Sequence, residues 1–225
     1  MDVIELLWGE PAGPRRGPRP TLTVGDLARA GIELADAEGL AAVTMQRVAE
    51  ALGVTKMATY RYVPGKDELV ALMVDTALGA PPPLDDLDGW RPKLRAWSLA
   101  MNERMQAHPW SVRATAGPRV TGPNELTWAE VALAAVDGLA LDGGQKMDVI
   151  VALTSQVRSL VEQTADNSEE RISATWMTIL DGRGERFPHV VAALASSARH
   201  SSRDQGLTFG LDRILDGVEL YLSRQ

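Results

Sequence analysis

The chain has 225 residues, no cysteine, 45% hydrophobic and 24% charged residues, and a formal net charge of -7 with a pI near 5.0. That balance supports a globular core and excludes disulfides, thiolate zinc sites and cysteine nucleophiles. No apolar run approaches the roughly 18 residues of a membrane span, and the opening MDVIELLWGEPAGPRRGPRP lacks the basic-then-apolar order of a secretory leader, so a cytoplasmic protein with no membrane partner is expected.

Charge is unevenly spread. Residues 1–14 carry -3, residues 15–66 carry +3 and residues 67–225 carry -7. The basic segment and the acidic remainder therefore need not share a partner. Val3 to Trp8 is a short apolar piece able to dock on the body. The following PRRGPRP sets Arg15, Arg16 and Arg19 among Gly and Pro and cannot fold alone. It is either a solvated tail or an extended arm whose arginines suit a narrow minor groove.

From residue 22 the pattern is helical. Leu27, Ala30, Gly31, Leu34 and Ala35 follow the spacing of an amphipathic helix, with Thr23 as N-cap and Gly39 as stop. Met45, Val48, Ala49 and Leu52 form the apolar stripe of a second helix that Thr44 caps and Gly53 ends. After Gly53 and Val54, Thr55 caps a short third helix predicted through Tyr62. PGKDE then starts a fourth, with Asp67 and Glu68 where the helix dipole favours acids.

The run GAPPPLDDLDG from Gly79 breaks the helices, because its prolines remove donors and fix φ. Leu94, Trp97, Met101 and Met105 then mark a helix ending near His108-Pro109, and Trp110 to Thr115 adds a short one. Further helices are predicted from about Asn124 to Leu141, from Gln145 to about Asp166, from Asn167 or Ser168 through Leu180, and from Pro188. The last begins near Ser202, where Leu207, Leu211, Ile214, Val218 and Tyr221 make a heptad-like seam. No period-2 stretch of any length appears. The expected fold is all-α.

A capped helix, a tight turn with Gly and a short second helix make a helix-turn-helix. The helix at 45–52 packs so that the next one protrudes as a rigid reader. Ala58 allows close approach to base edges, and Ala or Met can touch a thymine methyl. Tyrosine hydroxyls and lysines suit phosphate oxygens, and Lys66 with the amides at the start of the fourth helix offers another phosphate seat.

The stretch GLAAVTMQRVAEALGVTKMATYRYVPGKDELVALMVD resembles the DNA-binding domain of the TetR family of bacterial repressors, over residues 22 to about 78. The resemblance implies backbone or base contacts from Thr44 and Gln46. It places Thr55, Lys56, Met57, Ala58, Tyr60 and Tyr62 on the recognition helix and Lys66 on a phosphate. Tyr62 stands where many members have histidine, and it either faces DNA or anchors the helix to the core. The implied partners are double-stranded operator DNA, a second copy of the chain and a small-molecule effector. The implied division is an arm at 1–20, a DNA-binding domain at 21–67 and a helical effector-binding and dimerisation domain at 68–225.

Candidate effector contacts are Trp97, Met101, Met105, Trp110, Trp128, Met147, Val151, Thr154, Arg158 and Trp176, since aromatic and Met side chains make apolar walls and a few polar groups orient a ligand. The same residues also fit plain core packing. The seam of Leu207, Leu211, Ile214, Val218 and Tyr221 is the candidate dimer interface, paired with the helix at 145–166. His108, His189 and His200 lack metal-ligand spacing, so neither a metal nor a cofactor is expected, and no catalytic constellation appears. The alternative from another class is a ligand-binding helical protein whose helix-turn-helix no longer regulates genes.

Overall fold

The structure is a computed structural model that describes residues 2–9, 22–117, 119–165, 168–200 and 205–225. Among these the chain is helical and has no β-strand, in agreement with the all-α expectation. It falls into two compact units, Met1–Asp137 and Gly138–Gln225. Arg15, Arg16 and Arg19 lie outside the described residues.

In the first unit, α1 (Val3–Trp8) is too short to persist alone and is held from outside. Leu7 is buried, and the Trp8 indole donates to the Thr121 carbonyl at 3.0 Å. Helix α2 (Val24–Glu38) begins at a reciprocal cap, where the Asp26 amide donates to Thr23 Oγ1 at 3.2 Å and the Thr23 amide to Asp26 Oδ2 at 2.8 Å. The Thr23 hydroxyl bonds the same carboxylate and holds Asp26 below the usual carboxylate range. Helix α3 (Met45–Ala51) is capped by Thr44, whose Oγ1 accepts from the Arg47 amide at 3.2 Å.

Gly53 takes φ +65°, which a bulkier residue resists, and so turns the chain into α4 (Lys56–Thr59). This helix is shorter than predicted. Beyond Thr59 the Arg61 and Tyr62 amides donate back to Ala58 and Thr59, the tighter i−3 pattern that closes a last turn. Helix α5 (Lys66–Leu78) crosses α2 closely, because a Cβ at Gly31 would come within 2.6 Å of the Met73 sulfur. Leu27, Val43, Val48, Val63, Leu69 and Met73, fully buried or nearly so, form the core behind these helices.

The unit continues with α6 (Trp90–Ala107), α7 (Trp110–Ala114) and α8 (Pro123–Ala135). Trp97 and Trp128 meet edge to face with centroids 5.9 Å apart. Their ring N–H groups donate to the carbonyls of Trp128 and Gly79 at 2.9 and 2.8 Å. Helix α8 stops short of the predicted Leu141, since Val136 turns inward to full burial and its amide closes on the Leu133 and Ala134 carbonyls. Its start is held from α5: buried Asp75 accepts from the Asn124 and Glu125 amides at 2.8 and 3.1 Å.

The second unit holds α9 (Gly143–Ala165), α10 (Ser168–Leu180), α11 (Pro188–His200) and α12 (Gln205–Leu222). Asp142 and Gln145 exchange amide-to-side-chain bonds of 2.9 Å, which starts α9 slightly before the predicted Gln145. Ile150, Leu153, Val157 and Val161 of α9 pack against α12, on which Leu207, Leu211 and Leu215 are buried. No described side chain of α10 is buried.

Candidate nucleic-acid interface and ligand cavity

The exposed surface of α3 and α4 is built by what lies beneath it. Val48, Thr59 and Val63 are fully buried, and the Thr59 hydroxyl donates to the Lys56 carbonyl at 2.7 Å, which pins the four-residue helix. Opposite that anchor, Thr55, Lys56, Met57 and Tyr60 are exposed and Ala58 is half-buried. The Lys56 ammonium sits 5.8 Å from the Tyr60 ring centroid, a cation–π arrangement. Tyr62 is half-buried and packs against the core. Lys66 is exposed at the first position of α5, where the first-turn amides have no acceptor within the helix.

Thr44 and Gln46 are exposed on α3, and Gln46 Nε2 donates to Glu50 at 2.7 Å along the same helix. Arg47, also nearby, is engaged internally. It grips Glu38 through two nitrogens, one at 2.8 Å, and that bond draws the Glu38 carboxyl below its ordinary range. The other cations at this surface are exposed Arg61 and Lys66, together with Lys56 over its ring.

A small, partly open cavity lies between α5, α6, α7 and α8. Val74, Ala77, Leu78 and Met105 make apolar walls, with Ser111, Thr115, Arg104 and Glu125 at polar points. Glu125 is paired with Arg119, one contact at 2.6 Å, and next to it Asp75 is pushed up by burial against the pull of its amide donors. Of the ten candidate effector residues only Met105 appears in this lining. Trp97, Met101 and Trp128 are buried core. In the second unit Met147, Val151 and Trp176 are about half exposed, and Thr154 and Arg158 are half-buried.

Trp110 is not among the residues lining this cavity. It is 6% exposed within the core behind the helix-turn-helix, and its indole donates to Asp36 Oδ1 at 2.7 Å. His108 Nδ1 approaches the same carboxylate at 2.9 and 3.1 Å. One side chain of α2 thus clasps the α6–α7 corner, and cavity residues Met105 and Ser111 flank that corner. The individual residues carried a weak sequence signal. Asp36 lies 72 positions from His108, so only the fold joins them.

On α12, Leu207 and Leu211 face into their own unit along with Leu215, which heptad counting passed over. Ile214 and Val218 are half-buried, while Tyr221 is 45% exposed and its hydroxyl accepts from Gln145 at 2.8 Å. Among the described residues no group of His, Asp and Glu is arranged to hold a metal, and no helix is long and apolar enough to cross a membrane.

Two family models match the chain. The one described as "Bacterial regulatory proteins, tetR family" covers residues 27–73, and "Tetracyclin repressor-like, C-terminal domain" covers 82–222. The HTH-type transcriptional repressor DrrR1 of Streptomyces coeruleorubidus is 32% identical over 99% of this chain and 87% of its own. The tetracycline repressor protein class G of Vibrio anguillarum is 26% identical over 88% of this chain and 94% of its own. Among solved structures, Streptomyces coelicolor ActR in complex with actinorhodin superimposes with a TM-score of 0.75 at 22% identity, over 91% of this chain and 98% of that one.

Proposed function

Because the chain belongs to the TetR family of bacterial transcriptional regulators, we propose that it is a repressor that binds a palindromic operator as a homodimer and is released by a small-molecule effector. The carrying observation is the anchored reading face, in which buried Thr59 and Val63 hold Lys56, Met57 and Tyr60 outward beside Lys66. In this reading α4 enters the major groove, Thr44, Gln46 and Thr55 approach the backbone, and Lys66 seats a phosphate. Tyr62 contributes chiefly as an anchor. The arginines at 15, 16 and 19 reach the adjacent minor groove. The functional division is arm 1–20, reader 21–67 and body 68–225, in the cytoplasm and with no enzymatic step.

A dimer is needed because two recognition helices must sit about 34–36 Å apart to read successive grooves. The surface we assign to it is α12 beside α9, where Ile214, Val218 and Tyr221 offer accessible area and Leu207 and Leu211 stiffen the pair. The effector is a mainly apolar molecule, since Val74, Ala77, Leu78 and Met105 form most of the cavity wall. ActR holding actinorhodin in the same fold supports the idea of a ligand-bearing body. The ligand acts by binding better to the state whose recognition helices are badly spaced. The Asp36 clasp is one route, because a molecule pressing on Met105 and Ser111 disturbs the corner that grips α2.

The test is a mobility shift with operator DNA recovered from random fragments by the purified protein. Tyr60→Ala and Lys66→Ala are expected to weaken binding at least several-fold with the dimer and its melting unchanged, Lys66→Ala also lowering the salt slope by about one. Wild-type binding in both variants would discard this reading face.

A further inference from the structure

We infer that Met57 reads the C5-methyl group of thymine, so that each operator half-site carries a thymine under this side chain whose methyl, apart from its hydrogen-bonding groups, is required for full affinity. The inference rests on the proposal that α4 enters the major groove and adds the chemistry of one contact within it.

Met57 is the most exposed large apolar side chain among the described residues, at 73%. It is not a loose end. The helix that carries it is pinned by fully buried Thr59, by the Thr59 hydroxyl on the Lys56 carbonyl and by fully buried Val63 one turn on. Its neighbours on the same outward surface are polar and already committed in kind. Lys56 leans over the Tyr60 ring at 5.8 Å, an arrangement suited to phosphate, and Thr55 precedes the helix. Met57 therefore stands as an apolar group on a rigid, otherwise polar tip.

The floor of the major groove offers such a group one partner. Every other base-edge feature there is a hydrogen-bond donor or acceptor, and the thymine methyl is the apolar one. Methionine has no donor and only a weakly accepting sulfur, so it cannot take part in hydrogen-bond readout. Its unbranched, polarizable chain instead moulds to a methyl. Half-buried Ala58 beside it lets the backbone come near enough for contact. A wedge between base steps is the other use of an exposed apolar side chain on DNA, but wedges of that kind work from the minor groove, where a helix with lysine and tyrosine at its flanks is not placed.

The experiment uses the full chain and the operator it selects from random DNA. Each thymine of a half-site is replaced in turn by deoxyuridine, which deletes only the methyl, and binding is measured by fluorescence anisotropy at one salt concentration. With wild type, one symmetric pair of positions is expected to lose about 3- to 5-fold per methyl. Met57→Ala is expected to bind the thymine operator with a similar loss and to be indifferent to uridine at that same pair, with an unchanged melting curve because the side chain packs against little. Lys66→Ala, in contrast, weakens thymine and uridine operators by the same factor. If Met57→Ala pays the full uridine loss, or if no thymine methyl matters to wild type, the inference is overturned while the DNA-reading proposal stands. If wild type selects no DNA at all, the proposal beneath it fails and this contact goes with it.

Discussion

Removing the Asp36 carboxylate tests whether the clasp is structural glue between α2 and the α6–α7 corner. In Asp36→Ala the Trp110 indole N–H loses its acceptor at 2.7 Å, and Trp110 is only 6% exposed, so water reaches it poorly. Leaving a buried donor unpaired costs about 1–3 kcal/mol. The His108 contact adds little, since both side chains are substantially exposed, at 23% and 34%, and solvent replaces the bond. A loss of about 1–2 kcal/mol is expected, equivalent to roughly 2–8 °C of melting temperature in a chain of this length. The assay is urea and thermal unfolding at fixed protein concentration, with Trp110→Phe and the double variant completing a cycle. Phenylalanine removes the donor and keeps most of the ring, so the double variant is expected to be about 1 kcal/mol less destabilised than the two single changes added together. Additivity within about 0.5 kcal/mol would refute the bond's importance and the coupling route drawn through it.

Two further predictions concern the start of α8. Gly122→Ala places a Cβ 2.2 Å from Asp75 Oδ1, and is expected to cost about 2 kcal/mol or more in urea unfolding because the carboxylate must leave the α8 amides. Asp75 itself has a pH signature. Burial raises its folded-state pKa above the ordinary 3.8, so folded chains bind more protons than unfolded ones and stability falls as pH rises from 3.8 through the folded value. Asp75→Asn is expected to gain urea midpoint relative to wild type over that rise, and a difference flat with pH would refute the assignment.

The fold was legible wherever caps and stripes are local. Thr23, Thr44, Gly39 and Gly53 marked α2 and α3 because the groups they satisfy lie within a few residues. The exposure of Thr55, Lys56, Met57 and Tyr60 was legible for the same reason, since the turn at Gly53 and the buried Thr59 and Val63 belong to one short stretch. Tyr62 was not decidable, because a residue three past a buried Thr59 in a helix that stops early leaves the regular helical face. The cavity was the least legible part. Its walls come from four helices, and Val74, Ala77 and Leu78 on α5 read as plain core until α6 and α7 stand opposite them. Trp97 and Trp128 fitted either a ligand wall or plain core by sequence, because only the fold shows that each satisfies its N–H on a backbone carbonyl and packs on the other.

The bonds between Asp75 and the first turn of α8 make the far end of α5 a fulcrum. Lys66 sits nine residues away along the same helix, about 13 Å at 1.5 Å per residue. A tilt of roughly 5° about Asp75 would carry Lys66 about 1 Å, and a charged hydrogen bond to phosphate is confined to a few tenths of an ångström. If, as proposed, Lys66 seats a phosphate and the effector lies against Ala77, the ligand has no need to reshape the body. It leans on the short arm of a stiff rod, and the long arm moves at the DNA.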